Sequence, residues 1–260
     1  MKDLYDSEFY IEQSPGSIKS AKKIVPFLLQ IMPNINSVVD IGCGVGGWLN
    51  EWKQNGKTIL GMDGNKLSEK EKKILDSEYL LQNLETPLPV PKQKYSLCMS
   101  LEVAEHLPFK RAASFVRDLC LYSNAILFSS AIPGQTGVNH INEQWPQFWA
   151  DLFINNNYNV YDCFREQFWN DDDVAWWYAQ NMFLYVKKGS SLERVFEKKV
   201  VKKQNVICAY VHPKCLALYT NNYNNLVSQK KPFINGIKSV VKKIIFFIKH
   251  SMLKMKKKIL

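Results

Sequence analysis

A glycine-rich turn directly after a short apolar segment constrains this sequence more than any other feature. Residues 38–49 read VVDIGCGVGGWL: β-branched residues lead into an acid, four glycines follow within six positions, and Trp48 and Leu49 open a helical pattern. A strand that ends in glycines and turns into a helix presents backbone N–H groups at the helix start, and it lets the backbone approach a bound cofactor closely. The stretch therefore predicts a cofactor site at the edge of a sheet.

Strand-like and helix-like segments alternate along most of the chain. The pattern predicts strands over 37–41, 58–62, 79–82, 95–101 and 125–131, with helices over 17–32, 47–54, 108–122 and 144–155. Two further strands, over 159–168 and 182–186, are expected to form an antiparallel end of the sheet. Such alternation is typical of an α/β fold with a doubly wound, mostly parallel sheet that is covered on both faces.

The positive charge of the chain is confined to its C-terminal part. The net charge is +10, yet the last acid is Glu197 and residues 198–260 hold 15 lysines, so that residues 1–197 carry a net charge of −5. We predict a domain over 1–188, with a helical cap over 1–36, and a basic extension over 189–260. The extension ends in an amphipathic helix over about 236–260, which suits peripheral contact with an anionic membrane surface.

Neither secretion nor membrane insertion is indicated. Acids stand among the first six residues, where a signal peptide carries basic ones, and no apolar run reaches about 18 residues. The six cysteines are scattered without CxxC spacing, as expected of reduced thiols. We expect a cytoplasmic protein that can contact the inner face of the cytoplasmic membrane.

The glycines alone fit two classes of cofactor. Gly42, Gly44 and Gly47 have the spacing of a dinucleotide-binding turn, and Asp63 follows about 20 residues later, where an acid would hold a ribose. Asp40 argues against a dinucleotide, because a carboxylate just before the glycines would repel a pyrophosphate and attract a cationic amino acid group.

Residues 40–46, with the sequence DIGCGVG, resemble motif I of the class I S-adenosylmethionine-dependent methyltransferases. The resemblance extends over about residues 20–188 and implies a Rossmann-like methyltransferase fold that binds S-adenosyl-L-methionine. It implies that Asp63 binds the ribose hydroxyls and that Asn83 faces the adenine, at a position where the family often has an acid. The cofactor-binding residues expected on this basis are Asp40, Gly42, Cys43, Gly44, Gly46, Asp63, Gly64, Asn83, Leu84 and Leu101.

Two carboxylates and a histidine follow the fourth predicted strand, in the sequence SLEVAEHL at 100–107. If this segment begins a helix, Glu102, Glu105 and His106 share one face, because they stand at i, i+3 and i+4. Oxygen and nitrogen ligands that converge in this way predict a divalent cation site. The alternatives are acids favoured by the helix dipole and a histidine that acts as a hydrogen-bonding group or a general base without metal.

The Glu-x-x-Glu-His pattern resembles the metal-binding motif of ubiquinone-pathway O-methyltransferases and of small-RNA 2′-O-methyltransferases, which add a histidine downstream. The resemblance implies a site for Mg²⁺ or Mn²⁺ formed by Glu102, Glu105, His106 and His140. A bound ion would lower the pKa of an acceptor hydroxyl and position it for attack on the methyl group. Glu105, His106 and His140 are accordingly the predicted catalytic residues.

A loop with many hydrogen-bonding side chains follows the fifth predicted strand, over 131–146. Its composition suits a lid over the substrate, with Asn139, Asn142, Glu143 and Trp145 as the expected contacts. The alternative is a loop whose Asx residues only cap the following helix.

Taken together, the two stretches at 100–106 and 139–146 resemble methyltransferases of bacterial capsule and surface-polysaccharide gene clusters, including those linked to O-methyl phosphoramidate decorations. This resemblance implies an O-methyltransferase whose acceptor is a small molecule or glycan precursor of carbohydrate or phosphoramidate type. Two alternatives stay open. An RNA 2′-O-methyltransferase would use the basic tail, but the acidic body makes nucleic acid the weaker choice. A non-catalytic cofactor-binding subunit is the other.

Overall fold

One mixed sheet organises the part of the chain that this computed structural model describes, namely residues 7–198, 203–204 and 206–229. Its strands are β1 (Ser37–Ile41), β2 (Thr58–Asp63), β3 (Tyr79–Leu81), β4 (Leu97–Leu101), β5 (Ala125–Ser129), β6 (Tyr158–Tyr161), β7 (Phe183–Lys187) and β8 (Lys203–Gln204). The order across the sheet is β3-β2-β1-β4-β5-β7-β6-β8.

The sheet is parallel from β3 to β5 and antiparallel beyond it. β7 runs antiparallel to both β5 and β6, and β8 runs antiparallel to β6. In the centre, Asp40 of β1 stands between Gly61 of β2 and Met99 of β4. The strand order reverses between β1 and β4, and ligands of open α/β sheets bind at the carboxyl edge of such a switch point.

Helices cover both faces of the sheet. They are α1 (Ser7–Ile31), α2 (Gly47–Gln54), α3 (Ala112–Tyr122), α4 (Pro146–Asn155), α5 (Arg165–Phe168), α6 (Trp176–Asn181) and α7 (Ser191–Lys198). Alternate strand residues enter two buried clusters: Val38 packs with Trp52 of α2, and Val39 packs with Phe115 of α3 and Trp149 of α4. This alternation places the two clusters on opposite faces.

Two predicted elements differ from the observed ones by more than four residues at one end. α1 begins ten residues before the predicted start at 17 and continues through Pro15 and Gly16, and a Cβ on Gly16 would be 3.6 Å from the Trp177 indole ring. The strand predicted over 159–168 ends at Tyr161. There the Arg165 guanidinium donates from Nε to Asp162 Oδ2 at 2.7 Å, and this contact across three residues accompanies the turn into α5.

The sheet unit extends past the predicted boundary at Lys188. The chain divides into the compact units Met1–Cys215 and Leu216–Leu260. The first unit gains α7, whose Phe196 is fully buried, and β8, which pairs with β6. In the second unit, residues 216–229 are helical, so the polar stretch 221–225 is no linker.

The basic amphipathic helix predicted over 236–260 lies outside the described residues. Among the helices that the structure describes, none has the combination of length and apolar character required to cross a bilayer.

Candidate active site

The turn after β1 is built from glycines in left-handed conformations. Gly42, Gly44 and Gly46 have φ angles of +89°, +50° and +82°, a region that side chains rarely adopt. The Gly42 N–H donates to the carbonyl of Met62 at 2.7 Å, which ties the turn to the end of β2. A Cβ on Gly42 would stand 2.3 Å from a methyl carbon of Val103. The glycine therefore lets the turn lie directly against the segment that follows β4.

Asp63, at the end of β2, bonds to the same turn. Its Oδ2 accepts the Gly44 N–H at 2.8 Å and its Oδ1 accepts the Asn65 N–H at 3.0 Å. Burial raises the pKa of this carboxyl group, and the two backbone donors act in the opposite direction. The structure thus joins the two parts of the predicted cofactor site, and the ribose-binding role of Asp63 stays a prediction.

Asp40 is buried beneath the turn with an unsatisfied oxygen. Its Oδ1 has no hydrogen-bond partner among the described residues. Burial, and next the charge of Asp63, raise the pKa of Asp40 to about 7. A buried acceptor without a partner is costly, and a cationic or N–H group of a bound ligand would relieve that cost. This feature fits a cofactor with an amino acid end.

The other predicted cofactor residues lie at the same edge in different settings. Cys43 is buried, and a Cβ on Gly61 of β2 would stand 2.6 Å from its sulfur, so the thiol fills the space above that glycine. Gly64 is exposed directly after β2. Leu101 is the buried last residue of β4.

The pair expected to face the adenine is held by local bonds. The Asn83 side chain accepts the Glu85 N–H at 2.9 Å and is exposed. Leu84 is buried in the cluster that contains α3, and its carbonyl accepts Nε–H of the buried Arg111 at 3.0 Å. The side chain of Leu84 therefore packs the core, while Arg111 fixes the loop that carries Asn83.

The helical face predicted for 102–106 is wrong. Glu102 has a φ of +54°, and only Ala104–His106 forms a single 3-10 turn. The cause lies in the neighbouring strand, because the Glu102 N–H donates to the Ser129 carbonyl at 3.0 Å and to its hydroxyl at 3.1 Å. These bonds hold Glu102 outside a helix, so it does not share a face with Glu105 and His106.

Glu102 instead contacts buried amides that the sequence analysis missed. Its carboxylate accepts from Gln135 at 3.1 Å and from Asn181 at 3.2 Å, and the Gln135 oxygen accepts from both Gln180 and Asn181. Burial raises the pKa of Glu102 to about 7, and these donors act against the rise. The available sequence signal is the pair Gln180 and Asn181, which is separated from the buried strand β7 only by Met182.

Glu105, His106 and His140 form the group predicted as catalytic. One ligand atom from each lies within 4.8 Å of the others, and Glu102 is not part of the group. Glu105 is fully buried; its Oε2 accepts the Ser130 hydroxyl at 3.1 Å, and its Oε1 has no partner among the described residues. Burial, and then the charge of Glu102, raise the pKa of Glu105.

The two histidines meet edge to face, with ring centroids 4.8 Å apart. Burial, and then the proximity of His140, lower the pKa of His106 to about 4, which makes the ring neutral at physiological pH. His140 Nδ1 lies 2.9 Å from Glu143 Oε1. A Cβ on Gly137 would stand 2.2 Å from His140 Nε2, so this glycine provides the space for the ring.

The loop that carries His140 is docked onto Glu105. The N–H groups of Ile141 and Asn142 both donate to the Glu105 carbonyl, at 2.9 and 3.0 Å. Asn142 is buried and its side chain donates to the Ala104 carbonyl at 3.4 Å, so it holds the loop and does not present an amide to a substrate. Of the other predicted substrate contacts, Asn139 and Trp145 are exposed and Glu143 supports His140.

The two halves of the site lie at adjoining strands. The glycine turn follows β1, Glu105 and His106 follow β4, and His140 follows β5, and paired strands are about 4.8 Å apart. The arrangement places a carboxylate and two imidazoles beside the cofactor turn, where they can bind an ion or take a proton from an acceptor.

Comparisons with known proteins agree with this architecture. A magnesium protoporphyrin IX methyltransferase from Synechocystis PCC 6803, solved with bound SAM, has a TM-score of 0.51 at 17% identity, over 72% of this chain and 88% of that one. The plantazolicin methyltransferase BpumL, solved with a monoazolic analogue and SAH, has a TM-score of 0.51 at 13% identity, over 70% and 88%. At such identities the likeness establishes the fold.

Sequence comparison identifies the family. The malonyl-[acyl-carrier protein] O-methyltransferase of Hamiltonella defensa subsp. Acyrthosiphon pisum (strain 5AT) is 38% identical over 86 residues, 31% of this chain and 33% of that protein. The chain thus matches about a third of the length of this relative. A family model described as a methyltransferase domain matches residues 11–198. Because that match takes in most of the chain and the whole of the site, the protein belongs to the methyltransferase-domain family and has its Rossmann-like fold.

Proposed function

We propose that this enzyme transfers a methyl group from S-adenosylmethionine to an oxygen of a carbohydrate or phosphoramidate-type intermediate of surface-polysaccharide synthesis. The observation that carries the proposal is the grouping of Glu105 and His106, which follow β4 beside the glycine turn, with His140 from the loop after β5. A group that can activate a hydroxyl therefore stands next to the residues that fit the methyl donor.

The residues around the turn fit S-adenosylmethionine. Gly42, Gly44 and Gly46 open the backbone to the cofactor, Asp63 stands at the end of β2, and the unpaired Asp40 oxygen provides an acceptor for a cationic group. When bound, the cofactor supplies the methyl group and its own leaving thioether. The solved relatives described with SAM and SAH support this choice of donor.

The same chain offers ligands for a divalent cation. Glu105 Oε1 has no partner among the described residues, and the Glu143 carboxylate on His140 Nδ1 leaves His140 Nε2 for an ion. A mixed carboxylate and imidazole set suits Mn²⁺ better than Mg²⁺, which prefers oxygen ligands. When bound, such an ion lowers the pKa of an acceptor hydroxyl.

The chain's own groups can also manage the proton of the acceptor. His106 is neutral at physiological pH, because its pKa is about 4, so its ring can accept a hydrogen bond from a hydroxyl. The low basicity of His106 makes it a weak general base. This favours assistance by a metal ion over catalysis by the imidazole alone.

An oxygen acceptor agrees with the polar, exposed character of the loop that carries His140. The segment 136–141 is exposed except for His140 and carries Asn139 at its tip, so it can contact a hydroxylated ligand. The O-methyltransferase name of the Hamiltonella relative also supports an oxygen acceptor.

The test is cofactor turnover against nucleotide-activated sugars and phosphoramidate intermediates, with EDTA or with added Mn²⁺ or Mg²⁺. We expect methyl transfer to one of these acceptors that stops in EDTA and returns with Mn²⁺. Glu105→Ala should abolish transfer and keep SAH affinity, while Glu85→Ala, at an exposed site, serves as the matched control. Turnover that is insensitive to EDTA would refute the metal assignment, and no turnover with any acceptor of these classes would refute the acceptor assignment.

We also propose that the lysine-rich segment 236–260 contacts anionic membrane surfaces, close to where glycans are assembled. The charge pattern of the sequence supports this proposal. Residues 236–260 lie outside the described part of the chain. Co-sedimentation with phosphatidylglycerol vesicles should fall strongly when the chain is truncated after Asn225. Equal binding by both chains would refute the proposal.

A further inference from the structure

A cavity of about 610 Å³ opens at the carboxyl end of β6. One wall comes from the segment after that strand, and the other from Gln204, Tyr210 and Val211. The side chains that line the cavity include Asp162, Arg165, Glu166, Trp169, Gln204 and Tyr210. Nothing in the proposed reaction assigns a role to this cavity.

The cavity lies at the same edge of the sheet as the active site. β5 and β6 are both antiparallel to β7, so the carboxyl ends of β4, β5 and β6 point the same way. β6 is the third strand from β4, and three spacings of about 4.8 Å place its end roughly 14 Å from the end of β4. A ligand longer than one ring could reach both places.

The wall of the cavity is fixed in position by Arg165. The guanidinium carbon lies 4.7 Å from the centroid of the Phe183 ring and 4.6 Å from that of Tyr210, and it is buried. It donates to Asp162 at 2.7 Å and to the Cys208 carbonyl at 2.6 Å. The bonds to Arg165 therefore attach the later segment to the sheet unit and orient the Tyr210 ring.

The lining favours a neutral hydroxylated ring over an anion. Arg165 is neutralised by Asp162, whose Oδ1 has no partner among the described residues, and Glu166 adds a second carboxylate. The net charge of these walls is negative, which disfavours phosphate or carboxylate ligands. Carboxylate and amide oxygens accept bonds from hydroxyls, and the rings of Trp169 and Tyr210 offer apolar faces.

A buried polar chain connects the cavity wall to the active site. The Trp169 carbonyl accepts from His212 Nε2 at 2.9 Å, and the His212 N–H donates to Gln180 at 2.7 Å. Gln180 donates to Asn181 at 2.9 Å, and Asn181 donates to Glu102. The two regions therefore share one hydrogen-bonded layer along the carboxyl edge.

The outer wall of the cavity is an addition to the family domain. The methyltransferase-domain match ends at residue 198, whereas Gln204, Tyr210 and His212 come after it. Additions to a common fold at the ligand edge are where acceptor specificity is expected to reside.

We propose that this cavity is a subsite for a saccharide-type ring of the acceptor, distant from the atom that is methylated, with Gln204, Tyr210 and Val211 in its outer wall. The inference rests on the proposed function and narrows it. It makes the preferred acceptor an oligosaccharide or a glycoconjugate with more than one ring.

The probes are the methyl glycosides of glucose, galactose, mannose and N-acetylglucosamine, observed by saturation-transfer difference NMR on the full-length protein. At least one glycoside should receive saturation through its ring protons. Tyr210→Ala and Glu166→Gln should each weaken that binding about tenfold, which corresponds to about 1.4 kcal/mol. Tyr219→Ala, at an exposed tyrosine outside the cavity, should leave it unchanged.

Glu166→Gln should fold normally, because Glu166 is exposed and the substitution keeps the size of the side chain. A loss of binding in this variant therefore cannot be caused by misfolding. No saturation transfer to any glycoside, or equal transfer in wild type and both variants, would overturn the subsite. SAH titration separates the two proposals: a protein that binds SAH but no glycoside retains the methyltransferase assignment and loses this one. Failure to bind SAH would instead count against the proposed function.

Discussion

Val103 and Gly42 are in such close contact that a Cβ on the glycine would stand 2.3 Å from one methyl carbon of the valine and 2.8 Å from the other. The contact joins the cofactor turn after β1 to the segment after β4 that carries Glu105 and His106. The cofactor turn and the segment after β4 are therefore packed directly on each other at this one contact, and a larger residue at Gly42 should displace Val103.

Gly42→Ala should lower both stability and cofactor affinity. A left-handed φ costs an alanine about 1–2 kcal/mol, and the contact with Val103 adds overpacking of about 1–3 kcal/mol. Gly56→Ala is the matched control, because Gly56 has a φ of +72° and open space around its Cβ position. Urea unfolding and SAH titration measure the two effects, and we expect Gly56→Ala to show only the conformational cost. An equal loss of stability in both variants would mean that the Val103 contact contributes nothing.

Gly137→Ala should displace His140 without touching the cofactor turn. The new Cβ would lie 2.2 Å from His140 Nε2, so the ring must leave its present position beside Glu105 and His106. We expect Mn²⁺ affinity and methyl transfer to fall at least tenfold while SAH affinity stays unchanged. Gly16→Ala meets its nearest neighbour at 3.6 Å and should leave Mn²⁺ affinity intact. Unchanged Mn²⁺ affinity in Gly137→Ala would remove His140 from the metal site.

The parts of this site that could be predicted are those specified by local sequence. The glycines at 42, 44 and 46 need left-handed φ angles, and Asp63 ends the next strand, so their meeting follows from one βαβ unit. The strands from β1 to β5 and their parallel direction likewise follow from the alternation of strand-like and helix-like segments. Local sequence was therefore sufficient to predict the glycine turn and its meeting with Asp63.

The position of Glu102, in the part of the site after β4, depends on contacts that sequence spacing does not encode. Glu102 leaves the predicted helical face because Ser129, 27 residues away, binds its N–H, and its carboxylate meets Asn181, 79 residues away. The boundary at Lys188 was placed too early for a similar reason, since β8 is only two residues long and is defined by its pairing with β6.

Glu102→Gln should change how stability depends on pH. The folded pKa of about 7 lies above the ordinary value of 4.5, so the folded protein holds a proton at Glu102 that the unfolded chain releases between these pH values. The stability that this proton contributes is fully present below pH 4.5 and is lost as pH rises through about 7. Relative to wild type, Glu102→Gln should therefore gain on the order of 3 kcal/mol between pH 4.5 and pH 8.

Urea unfolding of both proteins at several pH values measures this difference. The opposite trend from His106, whose folded pKa is lowered to about 4, is present in both proteins. Burial, and then the Glu102 charge, raise the pKa of Glu105, so removal of that charge adds a change in the same direction. Parallel stability curves would show that Glu102 keeps an ordinary pKa in the folded protein.

Glu143→Gln should weaken metal binding through the orientation of His140. Glu143 Oε1 lies 2.9 Å from His140 Nδ1 and 2.8 Å from the Thr136 nitrogen, while Oε2 accepts the Gly134 N–H at 2.8 Å. The amide keeps the size of the side chain but loses its charge and one acceptor, so either the ring or the loop loses its partner. Loss of such a supporting carboxylate costs about 10–100-fold in metal affinity. Titration with Mn²⁺ should show this loss in Glu143→Gln and none in Glu85→Gln, at an exposed position. If Mn²⁺ affinity and activity are both retained, Glu143 serves the loop alone and the ring of His140 is held by its packing against His106.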